Sequence, residues 1–208
     1  GANDFVELPF SVASDVAGGS ELTIEYWFRG STLYAPVAIY SLIDETYVIA
    51  GIENSGLQHC IFSENMNDAV SVGDPGVVQD GTWHHLAMTW KKNTTNGFKS
   101  YVDGRLVAQV NSSDADLFDF NEEFTDVYLA TADAELNFLQ GELDEVRLWN
   151  VARTETELQN NMHNIISGEE AGLVAYYRCD HLDGTALDDV STNGHHGTLK
   201  NMTDDDWV

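Results

Sequence analysis

The sequence predicts an all-β fold: two antiparallel sheets stacked as a jelly-roll sandwich, with one short helix after the penultimate strand. Three observations carry this. Short runs that alternate bulky and polar residues, or are apolar throughout, recur at close spacing. Turn signals such as Asp80-Gly81 and Asp103-Gly104 separate them. One segment alone combines helical spacing with a start signal, and the 208 residues include only three prolines. A parallel α/β fold would need more helices.

Taken in order, Leu22 to Arg29 alternates except at Trp27, so both faces of this strand should meet side chains, as in an inner strand of a sandwich. Val37 to Leu42 and Tyr47 to Ile52 follow, with an acidic turn at Asp44-Glu45, and Leu57 to Phe62 comes after Asn54-Ser55-Gly56. Trp83 to Trp90 is entered through Asp80-Gly81, and Phe98 to Val102 joins Leu106 to Val110 through Asp103-Gly104-Arg105, a strong hairpin signal. Val127 to Ala130, Leu143 to Trp149 and Leu173 to Arg178 complete the strands. In Leu143 to Trp149, simple alternation puts Leu143, Glu145, Arg147 and Trp149 on one face and Asp144, Val146 and Leu148 on the other, so a carboxylate shares a face with two aliphatic residues. Thr154 and Glu157 then form a capping box, and Leu158, Met162 and Ile165 continue at helical spacing.

Nine basic against 35 acidic residues give a formal charge of -26. Such a field repels phosphate, which argues against nucleic acid and anionic membrane surfaces as partners and favours cations and neutral ligands. No apolar run is long enough to span a bilayer, and the first residues lack a signal-peptide pattern, so a mature or excised soluble segment is expected. Cys60 and Cys179 are far apart and are read as two thiols or one bridge, with thiols slightly favoured.

Three blocks then resemble a known family. Asp80-Gly81-Thr82-Trp83-His84-His85-Leu86-Ala87, Tyr101-Val102-Asp103-Gly104, and Gly141 through Leu158 occur in the order found in the concanavalin-A-like, laminin-G-like jelly rolls related to pentraxins. Leu22 to Arg29 is similar to an early strand of that family, so the likeness spans roughly residues 1 to 165. Gly172 to Asp180, with Asp189 through Leu199, is similar to a segment that closes such domains, although Cys179 stands where Phe is usual. The chain is therefore expected to be a single laminin-G-like domain over 1–208, with the main sandwich in 1–165 and the closing strand and Asp/Gly-rich loop in 172–208.

The resemblance implies a non-catalytic recognition or adhesion module, secreted or at the cell surface, that binds a glycan or a cell-surface protein as part of a larger multidomain chain. It also implies a structural calcium ion, with Asp144, Asp180 and Asp183 as ligands, the backbone oxygen of Gly184 as another, and Asp189 in reserve. Calcium takes six to eight hard oxygens at about 2.3–2.6 Å, which clustered Asp side chains and loop carbonyls can supply. As ligand-stacking aromatics, Tyr34 and Tyr47 are the candidates, Tyr34 because a ring at a sheet end is harder to explain by packing.

Two rival readings stand beside this one. A ligand-free spacer in a surface adhesin would need none of these residues. A divergent jelly-roll glycosidase would use Glu142 and Asp144, two apart on one strand face, but Val146 and Leu148 follow where a further acid would be needed. His84-His85 and His195-His196 are not expected to form a zinc site, because neighbours on a strand point to opposite faces and neither pair can chelate from one side unless the backbone bends. His85 is expected in the core, and His195 and His196 in an exposed loop.

Overall fold

The computed structural model describes residues 3–31, 34–41, 46–53, 56–63, 66–73, 77–114, 125–135, 137–180, 184–203 and 206. Within them, two antiparallel sheets face each other. The first holds eight strands in the order β13 (Ala186–Leu187), β14 (Gly197–Lys200), β1 (Phe5–Leu8), β10 (Thr125–Leu129), β3 (Tyr34–Ser41), β4 (Thr46–Glu53), β5 (Gly56–Ser63), β6 (Met66–Val72). The second holds six: β12 (Leu173–Tyr177), β11 (Gly141–Trp149), β2 (Glu21–Gly30), β7 (His84–Lys91), β8 (Phe98–Val102), β9 (Arg105–Val110). Helix α1 (Ser11–Ser14) is a single turn, and α2 (Glu155–Asn161) follows β11 as expected.

Period-two alternation explains the core. Leu22, Ile24, Tyr26 and Phe28 of β2, Leu86, Met88 and Trp90 of β7, and Val48, Ala50 and Ile52 of β4 all point between the layers and are fully buried in one cluster. Two polar contacts also cross the buried interior: Trp90 Nε1 donates to Asp68 Oδ2 at 2.8 Å, and Ser100 Oγ lies 3.2 Å from His59 Nδ1. Burial pulls the pKa of His59 down to about 3, so this imidazole is neutral. The Asp103-Gly104 hairpin appears as expected, with both residues at positive φ (49° and 70°), the signature of a type I′ turn.

The segment from Leu173 contributes more than the single strand read from the sequence: β12 extends the second sheet, while β13 and β14 extend the first beside β1. The expected turns at Asp44-Glu45 and Asn54-Ser55, and residues 115–124 of the long loop, lie outside the described residues.

Two expectations need correction. Alternation along β11 is broken by a bulge: two residues, Glu145 and Val146, stand opposite Tyr26 alone, and Glu145 has φ 51°. The phase shifts at that point, so Leu143 packs toward the same core as Val146 and Leu148, while Asp144 pairs across from Trp27 on the outer face. The helix is also shorter than its apolar spacing suggests. It ends at Asn161 with Met162 as its cap, and Ile165 stands 67% exposed. Donors on the sheet claim the carbonyls at the helix end: Arg147 Nη1 donates to Asn161 O at 3.1 Å, Arg147 Nη2 to Asn164 O at 2.8 Å, and Trp27 Nε1 to Met162 O at 2.8 Å. A helix could not continue with those carbonyls turned toward the sheet.

Its start follows the expected box. Thr154 Oγ1 accepts from Glu157 N at 3.3 Å, Glu157 Oε2 accepts from Thr154 N at 2.8 Å, and Leu158 packs on Ala87 and Tyr101. These anchors differ in weight. Arg147→Ala leaves the carboxylates of Glu25 and Glu145 without a buried cation and is expected to cost about 3–5 kcal/mol. Thr154→Ala, which removes a cap, is expected to cost about 1 kcal/mol. Urea unfolding of both variants checks the order, and an Arg147→Ala cost no larger than that of Thr154→Ala would contradict it.

Candidate functional site

The first half of β11 builds a cleft at the rim of the sandwich. It opens on Gly141, paired with Gly30 of β2. A Cβ at Gly30 would lie 2.5 Å from the Phe28 ring and one at Gly141 2.7 Å from it, so both positions need glycine for close approach. Next comes Glu142, held by Arg29, whose Nε donates to Oε1 at 2.9 Å and whose Nη2 pairs with Oε2. The same guanidinium lies 5.1 Å from the centroid of the Trp83 ring. Trp83 stands just before β7, beyond a turn in which Gly81 has φ 80° and Asp80 Oδ1 accepts from Thr82 N at 2.8 Å. Its indole is 36% exposed and held in place by the arginine behind it.

Beyond Glu142 the bulge turns Asp144 outward, with its Oδ1 accepting from Glu145 N at 2.9 Å. Its carboxyl is pushed up to about 6, first by burial and then by the like charges of Glu145 and Asp180, against the lowering effect of that N–H and of Arg178. Asp180 pairs with Arg178 Nη2 at 2.5 Å. Together with Trp83, Glu142, Leu143 and Phe5, the two aspartates line a cleft of about 530 Å³. Cys179 also lines it, as a free thiol pushed well up by burial and by Asp144, Glu145 and Asp180. Cys60 is likewise free, its thiol raised to about 12 by burial, so neither sulfur is poised to react.

The structure thus brings Asp144 and Asp180 together but not all the expected ligands. Asp183 lies outside the described residues. Gly184 is exposed at φ 91° with open space around it. Asp189 is buried and otherwise engaged: Oδ1 accepts from Tyr176 N at 2.9 Å and Ser191 N at 2.8 Å, and Oδ2 from His195 N at 2.8 Å and Ser191 Oγ at 2.7 Å. This carboxylate ties the terminal loop to β12. Among the described residues no three metal-binding side chains gather at one point. A calcium ion at the rim would therefore take Asp144 and Asp180 and complete its shell from main-chain carbonyls and water, an all-oxygen donor set of the kind calcium accepts.

Tyr34 and Tyr47 do not share one site with these residues. Tyr34 opens β3 opposite Ile52, and its ring lies outside the described part of the structure. Tyr47 stacks on Phe62 across β4 and β5, centroids 5.1 Å apart, in the eight-stranded sheet. His85 is buried as expected, but His195 is buried too, which corrects its placement in an exposed loop: its ring is 2.8 Å from Ser11 Oγ and 2.9 Å from Asp15 Oδ2. Sequence reasoning assigned Trp83 to a strand and missed its role. The turn residues just ahead of it were the signal that it could stand clear of the sheet.

Fold and rim cleft together define a jelly-roll module of the concanavalin A type. The sequence model of the concanavalin A-like lectin/glucanases superfamily matches residues 1–159, and the chain belongs to that family. It is 26% identical over 152 residues to C-reactive protein 1.4 of Limulus polyphemus, a match covering 67% of this chain and 60% of that protein. A Bacteroides ovatus protein described as carbohydrate-binding superposes with a TM-score of 0.69 at 23% identity, over 97% of this chain and 57% of that one. Domain 4 of an extracellular arabinanase from Geobacillus stearothermophilus, in complex with arabinotriose, gives 0.53 at 13% identity, over 74% of this chain and 70% of that one. The chain thus spans little more than half the length of two of these three proteins.

Among the described residues, no helix is long and apolar enough to cross a membrane. The raised carboxyl of Asp144 has a consequence that pH can expose. Its pKa is about 6 in the folded chain and about 3.9 unfolded. Protonation therefore favours the folded state, and that contribution is full below about pH 4 and lost as pH rises through 6. In chelator, Asp144→Asn is expected to melt higher than the parent at pH 7 and to match it at pH 4. Melting curves at the two pH values check this, and a variant less stable at pH 7 would contradict it.

Proposed function

We propose that this chain is a non-catalytic carbohydrate-recognition module that works outside the cell, or at its surface, as one part of a larger protein. The observation that carries the reading is the rim cleft of about 530 Å³, which sets an exposed indole beside carboxylates. Indole faces pack on the C–H surface of a sugar ring, and carboxylates accept from its hydroxyls. The carbohydrate-binding description of the Bacteroides ovatus protein and the arabinotriose in the arabinanase domain support the same ligand class.

Calcium belongs to this proposal as a stabiliser. Held by Asp144 and Asp180, it would offset the mutual repulsion of the rim carboxylates and join β11 to the segment after β12. A hydrolytic reading is less well supported. Glu142 is neutralised by the paired donors of Arg29, so it is not free to act as nucleophile or base.

Retention on a glycan array, without release of reducing ends, tests the function. Trp83→Ala is expected to weaken binding at least tenfold while leaving the melting temperature nearly unchanged. Calcium at a hundredfold excess over its Kd is expected to add about 2.7 kcal/mol of stability. That gain should vanish in Asp144→Asn. Equal retention by Trp83→Ala would refute the cleft as the site, and calcium with no effect on melting would refute the ion.

A further inference from the structure

A second depression, of about 470 Å³, lies against the rim cleft and is lined by Trp27, Met162, His163, Ile165 and Arg178. Trp83, Asp144 and Asp180 line both hollows, so the two abut across a saddle made of one exposed indole and two carboxylates. Each volume lies within the roughly 300–1,000 Å³ of a small-ligand site, so a single sugar ring cannot fill both.

The far wall of the second hollow is preformed. Residues 161–164 carry three carbonyls fixed by Arg147 and Trp27, at 2.8–3.1 Å. On that fixed backbone the His163 ring lies 5.3 Å from the Trp27 ring, and Ile165 is 67% exposed, more than any other large apolar side chain described. Apolar surface held rigid in water costs little further ordering when a ligand arrives, which is how a built contact surface behaves.

We propose that one neutral oligosaccharide of three or more units lies across this saddle. Its middle unit sits at Trp83 with hydroxyls directed to Asp144 and Asp180, and its outer units occupy the two hollows. The chain is neutral because the protein's formal charge of -26 disfavours uronate or sialate carboxylates, and the described lining of the larger hollow offers them no Lys, Arg or His, the nearby Arg29 being already paired with Glu142. Arg178, the one arginine among the described residues that line the smaller hollow, is already paired with Asp180. This inference rests on the carbohydrate reading and adds to it the length and charge of the ligand.

Calorimetric titration of the full chain with arabinose, xylose, glucose and mannose series of one to six units, and with oligogalacturonides, tests it. Affinity for the bound neutral series is expected to rise at least tenfold from one unit to four and then level off. Ile165→Asp, at an exposed position that leaves the core intact, is expected to remove the gain with length while sparing the shortest ligands, whereas Trp83→Ala weakens every length. Equal affinity for one unit and six, an unchanged length dependence in Ile165→Asp, or preference for oligogalacturonides would overturn the inference and leave the carbohydrate reading standing. Binding of no sugar in any series would overturn that reading itself.

Discussion

Everything on the outer face of the six-stranded sheet depends on one buried pair of charges, Glu25 and Arg147, each 1% exposed. Two ions taken out of water are tolerated only when their remaining donors and acceptors are met. Here they are met. Glu25 accepts from Trp149 Nε1 at 2.9 Å and lies 3.1 Å from His85 Nε2, while Arg147 pairs with Glu145, donates to the carbonyls of Asn161 and Asn164 and lies 4.9 Å from the centroid of the Tyr176 ring. Strands β2, β7, β11 and β12 and the loop after α2 therefore meet at one point. A sheet face that would otherwise be wet is closed here by main-chain oxygens, beside apolar contacts such as Leu158 on Ala87 and Tyr101.

The bulge in β11 is how the chain reaches both this pair and the rim. In a regular strand Asp144 and Glu145 would point to opposite faces. With Glu145 at φ 51° the strand gains a residue, Leu143 and Val146 both keep to the core, and the two acids leave the strand side by side. Glu145 turns to Arg147 and to Tyr176 Oη at 2.5 Å, while Asp144 turns to the cleft. One local distortion thus divides two neighbouring carboxylates between stability and ligand contact, in keeping with the tendency of bulges to sit near functional sites.

The sandwich was legible because its signals are local: alternation in β2 and β7, the Asp103-Gly104 turn, and the Thr154–Glu157 box each act within a few residues. What the sequence hid depends on distant partners. The end of α2 is set by Arg147 and Trp27, far away in the chain, so helical spacing through Ile165 misled. The bulge has no composition mark beyond two adjacent acids, and alternation carried across it put Leu143 on the wrong face. Of the expected site, Asp144 and Asp180 do share the rim, whereas Asp189 looked like any loop aspartate until four donors were found around it. Trp83 was concealed by its place at the edge of a strand pattern, where only the turn before it hinted that the ring could face outward.

The pairing of β1 with β14 places the first and last described strands side by side, Phe5 opposite Lys200 and Glu7 opposite Thr198. Because the ladder is antiparallel, the entering and leaving chain depart from the same end of it. Tension drawn between the flanking segments would open this seam like a zipper, one rung at a time, instead of loading all its rungs together in shear. Under mechanical pull the module would yield first at this edge, and because Phe5 and Val6 of β1 line the cleft, the cleft would open with it while the clamped six-stranded sheet stayed folded.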